Sequence, residues 1–296
     1  MNQNTKVYKR YYSILHRLKL QFFIYNIELD SHRDRFRVFL HGDDHYGANT
    51  TDEKSIFRFR DRVLEEGKDK NTRVNLMGDY CYSFPKNDTR REEGDYKKPD
   101  PLTLYTEFRD IMRPIAHKVD CALIGNHDRD WVRAENVNFV HWMCAELKIP
   151  YGDYESFVRY KVKVKGKTQA RRNIDFVLWH GDGGGRTSGA SFNKVHNPVD
   201  VYRTPDVLAM GHVHRLGWLH EQYLQPNERH MDMQDVDQYF VLTGGYQKGF
   251  VAPKSTYISR KMLPPVAIGA VRLDIQPFHA LDDTRDVLDI KFEEVR

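Results

Sequence analysis

The sequence predicts an α/β protein in which two sheets pack face to face and helices lie outside them. Three observations indicate this class. Short apolar runs bounded by turn residues recur along the chain and are typical of buried strands. Segments with apolar residues at helical spacing alternate with these strands as far as Pro150, whereas strand-like segments dominate after Glu155. A βαβ half followed by a strand-rich half favours two packed sheets.

Residues 1–35 are rich in Lys, Arg and Tyr and predict an N-terminal extension that contains one strand, over 21–27. Residues 36–296 are predicted to form the main domain, with a strand-rich C-terminal part. Within this domain, a strand ending near His41, a helix over 52–65 and a strand ending at Asp79 make one βαβ unit.

The segment 80–101 contains many turn-forming residues and is longer than an ordinary connection, which predicts a functional or mobile segment. Two further helices are predicted over 102–117 and 137–147, where apolar residues recur at helical spacing. The remaining predicted strands cover 121–124, 157–164, 174–179, 207–210, 218–224, 239–242, 266–275 and 287–292.

The composition is that of an ordinary globular protein, with 40% hydrophobic and 30% charged residues. A formal net charge of +4 does not indicate a nucleic-acid binder by itself, but it is compatible with an anionic substrate. The cysteines Cys81, Cys121 and Cys144 lack paired spacing, so a disulfide framework is not expected. No apolar run is long enough to span a membrane, and the first 20 residues lack the apolar core of a signal peptide. A cytoplasmic protein without a membrane partner is therefore expected, and its oligomeric state is left open.

Potential metal ligands follow five of the predicted strands. If these strands share one sheet, their carboxyl ends converge on one edge, where open α/β sheets place their sites. The residues at these ends are two carboxylates, one amide and four imidazoles: Asp43, His45, Asp79, Asn126, His180, His212 and His214. This set contains no thiolate and suits Mn, Fe or Zn. Seven ligands exceed the needs of one ion and divide between two ions about 3.5–4 Å apart, which predicts metal-assisted hydrolysis of a phosphoester.

The same residues form five ordered motifs by which the chain resembles the calcineurin-like metallophosphoesterases. The motifs D-x-H, G-D, G-N-H-[DE], H-G and G-H-x-H begin here at Asp43, Gly78, Gly125, His180 and Gly211, and the resemblance spans residues 36–245. The resemblance implies a four-layer α/β/β/α sandwich and attack on a phosphoester by a metal-bridging hydroxide. Since the G-H-x-H ending is similar to that of phosphodiesterases and SbcD-type DNA-repair nucleases, the expected substrate is a phosphodiester in DNA, RNA or nucleotides.

The resemblance also implies individual roles. Asp79 would bridge two divalent ions, one also held by Asp43, His45 and His214 and the other by Asn126, His180 and His212. Manganese is expected in preference to iron or zinc. His127 would protonate the leaving oxygen, with Asp128 helping to orient it. Many family members have Asp or Asn where this chain has Tyr82, a departure that concerns support of the ligands rather than metal binding.

Other interpretations stay open at this stage. The glycine-rich stretch 181–189 either cradles a phosphate, with Arg186 binding the substrate, or is a flexible connection. Asp44 is expected to be solvated or to cap a helix. Lys161, Lys163 and Lys165 would share one strand face and either follow a nucleic-acid backbone or protect an exposed edge. A phosphomonoesterase is the alternative enzyme, and a non-catalytic scaffold of the same fold is the alternative outside the enzymes.

Overall fold

The computed structural model describes residues 21–88, 96–97, 100–202, 205–227, 231–251, 259, 262, 264–280 and 286–296. Residues 1–20 of the predicted N-terminal extension lie outside the described residues, as do 89–95 and 98–99 of the segment predicted to be functional or mobile. Within the described ranges, no helix is long and apolar enough to cross a membrane.

Eleven strands and five α-helices occur in the described residues. The strands are β1 (Gln21–Leu29), β2 (Phe36–His41), β3 (Thr72–Leu76), β4 (Val119–Ala122), β5 (Glu155–Val164), β6 (Lys167–Trp179), β7 (Val207–Met210), β8 (Leu216–Asn227), β9 (Asp232–Thr243), β10 (Ala270–Ala280) and β11 (Asp286–Val295). The helices are α1 (Glu53–Glu66), α2 (Pro101–Met112), α3 (Asn126–Glu135), α4 (Phe139–Leu147) and α5 (Ser188–Val195), with 3₁₀ helices at Arg113–Lys118 and Asn197–Asp200.

The strands form two sheets. The six-stranded sheet has the order β1-β5-β6-β7-β9-β8, and the five-stranded sheet has the order β11-β10-β2-β3-β4. Neighbouring strands run parallel from β2 through β3 to β4 and from β6 through β7 to β9. The N-terminal strand β1 joins the six-stranded sheet by pairing in parallel with β5.

The two sheets bury their inner faces against each other. Val38 and Leu40 of β2 lie in one hydrophobic cluster with Val158 of β5, which belongs to the other sheet. Phe39 lies instead in a cluster with residues of α1, α2 and α4, because successive side chains of a strand point to opposite faces. Val195 of α5 packs on the outer face of the six-stranded sheet. The predicted pair of face-to-face sheets with helices outside is confirmed.

The ligand-bearing strands are divided between the two sheets, so the assumption that they share one sheet is wrong. Three of them, β2, β3 and β4, lie in the five-stranded sheet, whereas β6 and β7 lie in the six-stranded sheet. Their carboxyl ends nevertheless meet across the interface between the sheets. Nδ1 of His180, which follows β6, lies 2.7 Å from the carbonyl oxygen of Met77, which follows β3. Sheet membership depends on long-range pairing, which short apolar runs do not encode.

Two helices were not predicted, and one of them carries site residues. Helix α3 begins at Asn126, and only its Asp128 is buried, so the segment lacks the apolar stripe by which amphipathic helices are recognised. Helix α5 begins inside the glycine-rich stretch, where the Thr187 side chain caps it by accepting the N–H of Ala190 at 3.2 Å. Asn126 and His127 therefore occupy the first turn of a helix, which fixes their spacing.

The lysine face lies on a central strand. Lys161, Lys163 and Lys165 are exposed and alternate with buried valines, as the period of two predicts. Because β5 lies between β1 and β6, the interpretation that these lysines protect an exposed edge is wrong. Lys163 pairs with Glu28 of β1 at 2.7 Å.

Candidate metal centre

The polar residues that follow β2, β3, β4, β6 and β7 meet in one place. Three overlapping groups of side chains have potential ligand atoms within 4.8 Å of one another. Asp79 and His45 each belong to two groups, so the side chains form one continuous cluster. The groups are Asp43, His45 and His214; His45, Asp79 and His127; and Asp79, His180 and His212.

One half of the centre is formed by Asp43 and His45 of the D-x-H motif together with His214, the last residue of the G-H-x-H motif. Nε2 of His214 lies 3.1 Å from Nε2 of His45 and 3.5 Å from Oδ1 of Asp43. Nε2 of His45 also lies 3.8 Å from Oδ2 of Asp79. Nitrogen and oxygen donors from three loops therefore face one small volume.

The other half is formed around Asn126. Its amide Oδ1 lies 3.1 Å from Nε2 of His180 and 2.7 Å from Nδ1 of His212. Nε2 of His180 is also 3.4 Å from Oδ2 of Asp79. Nδ1 of His180 contacts the carbonyl oxygen of Met77, which can only accept a hydrogen bond, so Nδ1 carries a proton. The other ring nitrogen, Nε2, is directed at the cluster.

Burial and neighbouring charges set the protonation of the centre. Burial lowers the pKa of His214 to about 3, and burial together with the imidazoles of His127 and His214 lowers the pKa of His45 well below its usual range. Both are therefore neutral at pH 7, as metal ligands must be. Burial opposes the charge on Asp79 and His180, but their attraction prevails: it holds the pKa of Asp79 well below its usual range and raises that of His180 to about 9. A cation binding at His180 would displace that proton.

Five of the seven predicted ligand positions have a left-handed backbone. Such conformations are uncommon outside glycine, cost energy and persist only where the surroundings fix them, typically at functional sites. Here the N–H groups of Asp43 and His45 donate to the carbonyl oxygens of Gly78 and Asp79 at 2.9 and 3.0 Å, which joins the first two motif loops. The five residues, with φ between 44° and 65°, are Asp43, His45, Asp79, His212 and His214.

The glycines of the second and third motifs permit a close approach of two loops. A β-carbon on Gly125 would lie 2.0 Å from Oδ1 of Asp79. Gly78 has a φ of 94°, and a β-carbon there would lie 2.6 Å from the nitrogen of Gly125. Only glycine allows the close approach at both positions, and at Gly78 it also accommodates the positive φ.

The residues fit divalent cations. Oδ1 of Asp43 is buried and has no hydrogen-bond partner among the described residues. A buried carboxylate oxygen without a donor is costly, and a cation would satisfy it. Carboxylates, an amide oxygen and imidazoles are also the donors that Mn, Fe and Zn accept. The centre can therefore bind metal on both sides of Asp79.

The five motifs keep their order along the chain and meet at this centre, at the ends of strands from two packed sheets. This arrangement of the motifs resembles that of the calcineurin-like metallophosphoesterases.

Known proteins resemble this chain only distantly. No protein-family profile and no curated protein matches the chain. Among solved structures, the calcineurin-like phosphoesterase YfkN from Bacillus subtilis is 11% identical, with 88% of this chain and 91% of that chain covered and a TM-score of 0.38. The Haemophilus influenzae NAD nucleotidase NadN is 12% identical, with 87% of this chain and 49% of that chain covered and a TM-score of 0.39. Similarity at this level does not define a substrate.

His127 lies beside the candidate metal centre, and Asp128 lies beneath it. The backbone N–H of His127 donates to Oδ1 of Asp79 at 2.9 Å, and its ring lies 4.8 Å from that of His45. The Asp128 carboxylate accepts the backbone N–H groups of Asp79 and Gly125 at 2.8 and 2.9 Å and also the hydroxyl of Tyr105. Burial and the charge of Asp79 raise the pKa of Asp128 to about 7. These bonds make Asp128 a support for the loops that carry Asp79 and Gly125. Its predicted role in orienting the His127 ring stays a prediction.

Arg186 is linked to the loop that carries His214. It is exposed, and its guanidinium donates to the carbonyl oxygen of Met262 at 3.1 Å. Its own carbonyl oxygen accepts the guanidinium of Arg215 at 2.9 Å, and Arg215 directly follows His214. Helix α5 begins inside the glycine-rich stretch and is capped by Thr187. Whether the rest of the stretch cradles a phosphate or is a flexible connection stays open.

A buried histidine and carboxylate support the D-x-H loop, and sequence analysis missed this pair. Asp44 is fully buried, so the expectation of a solvated or helix-capping carboxylate is wrong. Its Oδ1 lies 2.8 Å from Nε2 of His41, whose other nitrogen contacts the hydroxyl of Tyr246 at 2.9 Å. The His41 ring stacks on Phe59 at 3.9 Å between centroids. Burial raises the pKa of Asp44, and the nearby His41 opposes that rise. The only sequence signal was a histidine three residues before an aspartate at a strand end.

We expect His41→Ala to weaken both folding and metal binding. The variant would leave Asp44 buried beside two predicted ligands without its partner, which costs roughly 3–5 kcal/mol for a broken buried pair. Loss of such support typically lowers metal affinity about 10–100-fold. Urea unfolding and manganese titration measure the two effects. His117→Ala, which replaces an exposed histidine, should match the parent in both, and parental values for His41→Ala would show that the pair does not support the loop.

Proposed function

We propose that this protein is a phosphodiesterase that uses two divalent cations, preferably manganese, to hydrolyse phosphodiesters in nucleic acid or nucleotides. The position of Asp79 between two groups of imidazoles carries the proposal. Its Oδ2 lies 3.8 Å from Nε2 of His45 and 3.4 Å from Nε2 of His180. A carboxylate in this position can be shared by two neighbouring cations, as hydrolytic two-metal sites require.

In this proposal Asp79 is the shared ligand and the remaining six residues divide into two sets. When bound, the cations would polarise the phosphate and activate a water molecule. The protein holds its ligands in fixed directions, because both carboxylates and two of the four imidazoles, those of His45 and His180, are buried and the loops are joined by backbone hydrogen bonds. The sets are Asp43, His45 and His214 on one side and Asn126, His180 and His212 on the other.

His127 is the proposed general acid. Its ring lies at the rim of the centre, 4.8 Å from the ring of His45, and it is partly exposed. An imidazole in that position can give a proton to the oxygen that leaves phosphorus. Asp128 is the proposed positioning residue, because it holds the backbone N–H groups of Asp79 and Gly125 and so the start of the helix that carries His127.

A phosphodiester is proposed as the substrate because the pair His212 and His214 completes the ending that resembles phosphodiesterases and nucleases. The exposed Lys161 and Lys165 offer positive charge to a polynucleotide backbone. The exposed guanidinium of Arg186 is a candidate phosphate contact.

Metal titration and a substrate screen test this proposal. Chelator-treated protein should be inactive, should bind two manganese ions per chain and should then hydrolyse diesters. The screen would include mono- and diesters and single- and double-stranded DNA and RNA. Hydrolysis of monoesters alone would replace the proposal with a phosphatase. Protein that binds no metal and cleaves none of these substrates would favour a scaffold.

A further inference from the structure

Three aromatic side chains of the 80–101 segment lie beside the proposed acid. The ring centroid of Phe84 is 4.8 Å from that of His127, and Tyr82 is 6.5 Å from His127 and 6.1 Å from His45. Tyr82 also lies 5.0 Å from Phe84 and 5.4 Å from Tyr96. We call Tyr82, Phe84 and Tyr96 the aromatic wall. It borders the part of the centre from which a leaving group would depart if His127 protonates it.

The aromatic wall is fixed to both neighbouring site loops. Tyr82 donates its backbone N–H to the carbonyl oxygen of Tyr46 at 2.8 Å, one residue beyond His45. Tyr96 pairs with Ala48 in a β-bridge. On the other side, the indole of Trp131 in α3 donates to the Ser83 hydroxyl at 3.0 Å. The wall is therefore held between the D-x-H loop and the helix that carries His127.

Burial divides the wall into a support and a surface. Phe84 is only 4% exposed and packs edge-on against Tyr82, with 87° between the ring planes. Tyr82 and Tyr96 are both partly exposed. The Tyr82 and Tyr96 rings are inclined by 54° to each other, so each offers a separate partly exposed ring on which a flat apolar group can stack, as nucleobases do on aromatic side chains.

We infer that the aromatic wall binds the base of the nucleoside that leaves, so that the preferred substrate carries a nucleobase on the leaving side of the phosphodiester. The inference rests on the proposed phosphodiesterase function. A polar residue at position 82, as the family often has, would offer no such ring. The wall also gives the long 80–101 segment a role that its turn residues alone did not specify.

Three dinucleotide diesters test this inference with manganese-loaded protein. One is unmodified, one lacks the base on the nucleoside that leaves, and one lacks the base on the nucleoside that keeps the phosphate; the products of the first identify which is which. Removing the leaving-side base should raise KM about 5–100-fold with little change in kcat, because stacking is lost equally in the ground and transition states. Removing the other base should have a much smaller effect.

Variants then assign the effect to the wall. Tyr82→Ala and Tyr96→Ala should each raise KM for the unmodified diester toward that of the leaving-side abasic diester, without a further rise for the abasic one. Tyr82→Phe and Tyr96→Phe keep the rings and should keep the preference. Tyr223→Ala removes a tyrosine that is 39% exposed on β8 and should match the parent. Circular dichroism and metal content would verify that each variant is folded and loaded.

Two results would overturn the inference. If the parent protein has equal KM values for the unmodified and the leaving-side abasic diesters, the aromatic wall is not a base site. Hydrolysis of these diesters would still support the phosphodiesterase proposal. A preference that persists in both alanine variants would place the base elsewhere. If protein with two manganese ions cleaves no diester at all, the proposed function fails and the inference falls with it.

Discussion

Asp79→Asn is expected to bind fewer than two metal ions per chain and to lose at least about 10³-fold in turnover. The substitution replaces a carboxylate that faces His45 and His180 with a neutral amide of nearly the same shape. Removing one negative charge between two dications costs several kcal/mol, and each 1.36 kcal/mol of transition-state stabilisation corresponds to a factor of ten in rate. The effect should therefore exceed that of any substitution at the rim of the centre.

Metal content and turnover of Asp79→Asn should fall together across a manganese titration. Asp61→Asn is a matched control, because the Asp61 side chain is 60% exposed and pairs with Arg60 at the surface. This variant should keep two ions and normal turnover. An Asp79→Asn protein with two tightly bound ions and near-parental turnover would refute the bridging role. Since Oδ1 of Asp79 also accepts the His127 N–H, the circular dichroism of the variant should be compared with that of the parent.

Local sequence signals predicted the parts of the centre that lie at strand ends. Asp43, Asp79 and His180 each follow an apolar run, and burial of that run fixes where the chain leaves the sheet. Motif order then identified the set of candidate ligands. These signals could not predict how the strands divide between two sheets, because parallel pairing such as β1 with β5 joins segments far apart in sequence.

The support of the centre was also beyond local reasoning. His41 appeared to be an ordinary strand residue, yet its ring lies between Phe59, Asp44 and Tyr246, three residues that only the tertiary fold brings together. Tyr82 was recognised as a departure from the family pattern, but its neighbours His127 and Tyr96 lie 45 and 14 positions away in the sequence. Contacts of this kind depend on how distant loops fold back to the site, and neither the hydrophobic periodicity nor the composition of the sequence indicates this.

His127→Ala is expected to keep both metal ions and to lose about 10²–10⁴-fold in rate on substrates whose leaving group is a poorly stabilised alkoxide. The ring of His127 is at the rim of the centre, whereas its backbone N–H, which the alanine variant retains, makes the contact with Asp79. Metal binding should therefore survive the loss of the imidazole. His141→Ala, which removes an exposed histidine on α4, serves as the control and should match the parent.

Substrates with different leaving groups distinguish a general acid from a structural residue at position 127. A nitrophenolate departs without a proton, so His127→Ala should retain far more of its activity on a nitrophenyl diester than on a nucleotide diester. Loss of metal would reduce both reactions alike, because both need the same activated water. The nitrophenyl ring can itself stack on the aromatic wall, so the comparison should use kcat, which stacking changes little. Equal losses of kcat on both substrates, with metal content falling in step, would show that His127 holds the centre together and does not supply the proton.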